Sequence, residues 1–318
     1  MHHFLYFLLT TLLVKEIEAR QLLGGAKRSV VTMSIDSHLH VWGDGTAPFP
    51  YLKDPPPGAL VPTGSPENLL KLMEEAGVEG ALIVQPINYL YDHSFVEAAI
   101  NKYPNKFKGM CLLDPSCDAD YLPKLKAEGF GSVRFNPYLP EWNGAKMSDT
   151  AGQKLFSQCG ELGLPVGFMC FQGLGKHAEE ITSLLEASPS TVVVVDHFGF
   201  FVQNGKVEED SWAKLIALAQ YPQVNVKISA AFRNVVSKAD NTYPELTERL
   251  RSLLSAYGPS RVMWGSDFPF VILEAPNAYA QSLANVASWG LSHEDERHWV
   301  TRGTAEKVFG KWGASHPL

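Results

Sequence analysis

Residues Ile35 to His40 read Ile-Asp-Ser-His-Leu-His. Side chains of an extended strand alternate between faces, so His38 and His40 point the same way. Two neutral imidazoles converging at a strand end make half of a transition-metal site. Such a pair needs partners, and two later apolar runs supply them: 191–196 is followed by His197, and 261–266 by Asp267. His38, His40, His197 and Asp267 are therefore the candidate catalytic and metal-ligating set. A lone histidine at a strand end is usually a hydrogen-bonded structural residue, and Asp267 also suits capping the turn at Phe268-Pro269. The functional reading rests on all four arriving together. Arg134 has the planar fork that clamps a carboxylate, although an ion pair would explain it equally well. Gln85, Asn88, Asn136 and Lys227 are the other strand-end polar residues and candidate substrate contacts. Asp36, ahead of the histidine pair, suits a positioning role rather than ligation.

The elements that must carry these residues repeat one unit, a short apolar run followed by an amphipathic segment. Strands are expected at 35–40, 81–85, 108–113, 132–136, 165–170, 191–196, 224–229 and 261–266. The first is followed by a proline-rich loop over 43–64 and then a helix with clear punctuation. Ser65 caps it, Pro66 takes its first position, Leu69, Leu72, Met73 and Ala76 form its apolar face, and Gly77 stops it. Further helices are expected near 94–103, 119–128, 149–162, 176–186, 212–220, 244–257 and 278–287. The later strands are nearly continuous apolar runs, as in a parallel sheet covered on both faces. A (β/α)8 TIM barrel uses all eight units without leaving an edge, whereas an open doubly wound sheet is the competing arrangement. In such a barrel, chemistry belongs at the C-terminal strand ends, where the polar residues above fall. Residues 292–308 are expected as a helical addition on the barrel's outside.

Composition narrows the function. The chain has 318 residues, is 45% hydrophobic and carries a formal charge of -7 without a Lys/Arg stripe, which gives no electrostatic footprint for nucleic acid. Neither a Gly-x-Gly-x-x-Gly after the first strand nor a Walker loop occurs, and Gly-x-Ser-x-Gly is absent, so nucleotide binding and serine hydrolysis lack support. Cys111, Cys117, Cys159 and Cys170 show no Cys-x-x-Cys spacing and read as reduced thiols, favouring the cytoplasm. The apolar run from Phe4 to Val14 is too short to span a bilayer; no basic residue precedes it and no small-x-small cleavage pattern follows. Residues 1–32 are accordingly expected as an extension outside the fold, and 33–318 as one domain with no membrane partner. A targeting role for 4–14 would instead send the protein to the secretory route or an organelle.

Taken together and in order, Asp36-Ser-His-Leu-His40, Val193-Val-Val-Asp-His197 and Trp264-Gly-Ser-Asp-Phe-Pro269 resemble the signatures of the amidohydrolase superfamily. With Val133-Arg-Phe-Asn-Pro137 and Val226-Lys-Ile-Ser229, they resemble more narrowly the amidohydrolase-related (amidohydrolase 2) branch, which contains pyrone dicarboxylate lactonase and the sugar-acid lactonases. Residues 33–310 carry the resemblance, and the chain looks like a plant member of that branch. The resemblance implies a hydrolase that opens a lactone of a small carboxylic or sugar acid, with Asp267 as general base. Binuclear members carry a bridging lysine or glutamate after strand four and a histidine after strand five; here those places hold Arg134 and Met169-Cys170. That departure implies at most one divalent ion, zinc or manganese, on His38, His40, His197 and Asp267. Metal-free operation stays open, because some lactonases of the branch are thought to work without an ion. Two other functions remain in view. One is non-hydrolytic decarboxylation of an aromatic or muconate-type acid, disfavoured by the missing strand-five histidine; the other is a catalytically inactive barrel that serves as a binding protein. The expected partner is a small anionic lactone, and nothing in the sequence fixes the oligomeric state.

Overall fold

A computed structural model of the chain describes residues 33–313 apart from positions 119, 143, 276, 277 and 292. The expected N-terminal extension lies outside the described residues. Eight parallel strands form one sheet: β1 (Ser34–Leu39), β2 (Val78–Val84), β3 (Phe107–Leu112), β4 (Phe130–Phe135), β5 (Val166–Phe168), β6 (Val193–Val195) and, after a small antiparallel ribbon of β7 (Val202–Gln203) and β8 (Lys206–Val207), β9 (Val224–Ile228) and β10 (Val262–Trp264). Sequential order of all the strands, with helices between them, is the topology of a (β/α)8 barrel.

Helix α1 (Pro66–Ala76) shows how local chemistry sets the elements. The Ser65 hydroxyl accepts from Asn68 N at 3.2 Å, and Gly77, at φ 69°, takes the left-handed turn that a side chain would resist. Leu69 and Met73 go into the core. Helices α2 (Ser94–Lys102), α3 (Tyr121–Ala127), α4 (Thr150–Glu161), α5 (Ala178–Ala187), α6 (Glu209–Ala217), α7 (Leu246–Tyr257) and α8 (Ala278–Ser288) complete the outer ring. Their apolar stripes and the outward side chains of the strands make one continuous core.

The sheet closes where β10 meets β1. Asp267 N donates to His38 O at 2.9 Å, His40 N to Phe268 O at 2.7 Å, and Leu39 bridges Phe268 in parallel. Asp36 spans the same seam, its Oδ1 accepting from Ser266 N at 2.9 Å and His38 N at 3.2 Å, in keeping with a positioning role. Gly265 permits the approach, since a Cβ there would lie 2.8 Å from His38 Cβ.

The C-terminal segment corrects the expectation from sequence. Helices α9 (Glu294–His298) and α10 (Thr304–Phe309), joined by a π turn, do not simply lie against the outside. Ala305, Phe309 and Trp312 pack on the inward side chains Ile35, Leu82, Val84, Met110, Val194 and Met263, plugging the N-terminal end of the barrel. The reason is physical: apolar side chains of β1, β2, β3, β6 and β10 would otherwise meet water at that end, and Ala305, Phe309 and Trp312 cover them. Trp312 approaches β2 so closely that a Cβ on Gly80 would lie 2.1 Å from its ring. Among the described residues no helix is long and apolar enough to cross a membrane.

Trp312→Ala should therefore cost about 3–5 kcal/mol of stability in denaturant unfolding, as for other large-to-small core changes. A cost under about 0.5 kcal/mol would be that of a surface substitution and would show that the plug is not part of the core.

Candidate active site

The interior of the barrel is built on a carboxylate. Asp196 ends the valine run of β6 and is fully buried, and a charge taken out of water is costly unless paired. Three strands supply partners: Arg134 Nε from β4 at 3.0 Å, Lys227 Nζ from β9 at 3.3 Å and His38 Nδ1 from β1 at 3.2 Å. Burial alone would raise the Asp196 carboxyl, but Lys227, His38 and Arg134 hold it well below the usual carboxylate range. Lys227 also approaches His38 Nδ1 at 3.2 Å and sits over the Phe309 ring of the plug. With Nδ1 of His38 engaged on this side, Nε2 faces the opposite way, buried and without a hydrogen-bond partner.

Two more imidazoles face the same point. His40 Nδ1 lies 2.8 Å from Val84 O. A carbonyl only accepts, so Nδ1 carries the proton and Nε2 presents its lone pair. His197 Nδ1 pairs with Ser229 Oγ at 2.8 Å. Asp267 Oδ1 then lies 3.7 Å from His40 Nε2 and 4.0 Å from both His38 Nε2 and His197 Nε2. Burial, with the Lys227 charge beside it, pushes His38 down to about 3, and burial together with neighbouring positive charge puts His40 and His197 well below the usual imidazole range. Burial raises Asp267 to about 6 even though Arg233 opposes the rise. The result is a carboxylate oxygen facing neutral imidazoles, at least one of them with its lone pair turned inward. Acceptors so placed call for a proton or a cation between them. The donors of His38, His197 and Asp267 lie within 4.8 Å of one another, and this nitrogen-and-oxygen set fits a divalent first-row metal ion. Both His197, at φ 54°, and Asp267, at φ 61°, occupy left-handed backbone conformations that non-glycine residues seldom adopt and that cluster at functional sites.

Over this cluster opens a cavity of about 190 Å³, lined by His40, Asn88, Arg134, His197, Arg233 and Asp267 among the apolar walls Trp42, Met169, Phe171, Phe200 and Phe270. Three of the expected substrate contacts do not line it. The Gln85 amide donates to Leu90 O at 3.1 Å and Asp92 O at 2.8 Å, holding the loop after β2. Asn136 Oδ1 accepts from Tyr138 N at 3.3 Å in its own turn, and Lys227 is spent on Asp196. In each case a backbone group or a buried charge claims the side chain first. Arg233 enters the site unanticipated. It stands in the turn after β9, its Nε 3.2 Å from Asp267 Oδ2 and its guanidinium 5.0 Å and 5.1 Å from the rings of Phe232 and Phe270. Its only mark in the sequence is a basic residue soon after a barrel strand, which by itself points to no site.

A family model described as amidohydrolase matches residues 35–311. The chain belongs to the amidohydrolase family. It is thus a hydrolase on an amidohydrolase barrel. The chain is 26% identical over 284 residues to the 4-sulfomuconolactone hydrolase of Hydrogenophaga intermedia, with 87% of this chain and 89% of the relative covered. The crystal structure of a putative 2-pyrone-4,6-dicarboxylic acid hydrolase from Pseudomonas putida superposes with a TM-score of 0.73 at 23% identity, covering 87% of this chain and 97% of that one. An amidohydrolase from Burkholderia multivorans, solved with bound zinc, superposes with a TM-score of 0.66 at 19% identity, covering 87% of this chain and 99% of that one.

The imidazoles are neutral through the physiological range, so among the residues that could hold a cation Asp267 is the one that would have to release a proton. Apparent zinc affinity, measured against a competing chelator, should be level above neutral pH. Below the Asp267 value of about 6 it should fall, at about tenfold per pH unit. A level profile down to the ordinary carboxylate value of 3.8 would contradict the assignment.

Proposed function

We propose that the protein hydrolyses the ester bond of a small anionic lactone, with Asp267 as general base and at most one divalent ion, zinc or manganese. The observation that carries this reading is Asp267 itself. It lies between histidine nitrogens on one oxygen and Arg233 on the other, at the floor of the cavity, with its carboxyl raised to about 6. A base with that value is largely ionised near neutrality and still able to return a proton. The relative named for 4-sulfomuconolactone supports the lactone class.

In this reading Arg134 and Arg233, both on the cavity wall, hold the substrate's anionic group and fix the ring over the floor. Asp267 takes a proton from water as the water oxygen adds to the ester carbonyl. The ring C–O bond then breaks, and Asp267 returns the proton to the departing alkoxide. Water is thereby added across one bond, giving a hydroxy acid with no change of oxidation state. His38, His40 and His197, with Asp267, are the residues that would hold the ion, whose chemistry is to polarise the carbonyl and make the water more acidic. Asp196 keeps His38 turned toward it. A single ion is favoured because Arg134 and Met169-Cys170 stand where binuclear relatives of the resemblance carry a bridging residue and a further histidine.

Asp267→Asn should lower kcat/KM by about 10²–10⁴-fold on γ- and δ-lactones bearing a carboxylate, followed by acid release at constant pH. Arg233→Met should raise KM more for carboxylated than for neutral lactones. Carbon dioxide release from aromatic acids with no lactone opened would overturn the proposal.

A further inference from the structure

We propose, building on the lactonase reading, that the substrate carries an apolar alkyl or aryl body, received by a groove that continues the catalytic cavity outward over the barrel mouth. The inner cavity, about 190 Å³, is smaller than the usual range for drug-sized ligands and matches a single ring with its charged group. Next to it runs an open groove of about 750 Å³, and the two share Phe171, Phe200, Arg233 and Phe270 as wall. Whatever extends from the ring must therefore pass over these side chains.

The groove's wall selects by chemistry. Phe171, Val236 and Leu273, from the loops after β5, β9 and β10, are 51%, 52% and 54% exposed. Large apolar side chains left in water on three converging loops are costly to solvate, and such patches mark binding surfaces. Lys238, Glu274 and the amide nitrogen of Gln203 beside them are already engaged. Lys238 pairs with Glu274 at 3.0 Å, and the Gln203 amide donates to Phe171 O at 3.1 Å and Phe200 O at 2.9 Å. A hydroxyl there would have to compete with these pairs, whereas a hydrocarbon would only displace water. Arg233 stands at the junction, its Nε on Asp267 and its plane against Phe232 and Phe270, so charge recognition ends where the apolar wall begins. The occupant is taken to be the substrate's own body because the groove opens into the catalytic cavity, and a protein seated there would block entry.

The test uses the full-length protein and γ-butyrolactones that bear a carboxylate and carry unbranched alkyl substituents of increasing length, together with their ring-opened hydroxy acids in calorimetry. Both kcat/KM and hydroxy-acid affinity should rise about two- to fourfold per methylene until the groove is filled. The double variant Val236→Ser/Leu273→Ser should flatten that rise while leaving turnover of the unsubstituted lactone unchanged. If lactones are opened but neither quantity rises with length, the apolar-body inference is overturned and the lactonase reading stands. If no lactone is opened yet affinity rises with length, the groove is supported and the lactonase reading fails. If the double variant alters the sedimenting mass and leaves the length dependence intact, the groove is an interface between copies and the inference is overturned.

Discussion

One buried carboxylate organises the interior. Asp196 joins β6 to β4 through Arg134, to β9 through Lys227 and to β1 through His38, all inside a barrel whose buried side chains are mostly apolar. Two cations and one anion in low dielectric stabilise the fold only weakly in net terms, because desolvation offsets most of their attraction. What the arrangement secures is orientation. Asp196 engages one nitrogen of His38 and thereby turns the other toward Asp267, and Val84 and Ser229 do the same for His40 and His197. Removing the central anion would leave Lys227 and Arg134 buried without compensation and His38 free to turn.

The seam between β10 and β1 is the second requirement. Its hydrogen bonds bring the carboxylate of one strand end to the histidines of the other, and Gly265 is there because a side chain would hold the strands apart at His38. The backbone of Asp267 at this junction, and of His197 after β6, is left-handed, a conformation that costs on the order of 1–3 kcal/mol each for an L residue. The surrounding core, including the C-terminal plug beneath Lys227, holds the barrel in which that cost is met. The packed floor contrasts with the mouth, where Phe171, Val236 and Leu273 stand exposed on separate loops.

Much of this was legible in the sequence because it is local. Period-two spacing aligned His38 with His40, continuous valines marked a strand covered on both faces, and Ser65 and Gly77 bracketed α1 as their backbone chemistry requires. The polar strand ends were legible as positions but not as partners. Gln85, Asn136 and Lys227 sit where the pattern put them, yet their hydrogen bonds go to loop backbone or to Asp196, and nothing in spacing reveals which group claims a side chain first. Asp196 itself carried a readable signal, since a carboxylate closing four valines must be neutralised somewhere. The β7–β8 ribbon was also readable: Asn204-Gly205, at φ 50° and 71°, is the turn pair that favours a tight hairpin. Arg233 and the plug were not, because both depend on contacts between segments far apart in the chain.

The central claim is that His38, His40, His197 and Asp267 form one cation site whose geometry is fixed by their buried partners. Its most direct test is the metal content of protein purified without added metal or chelator, measured per chain for the wild type and for folded His38→Ala. The proposed site predicts about one divalent ion per chain in the wild type and a nearly complete loss in the variant. Two ions per chain, or one ion retained after His38→Ala, would contradict it.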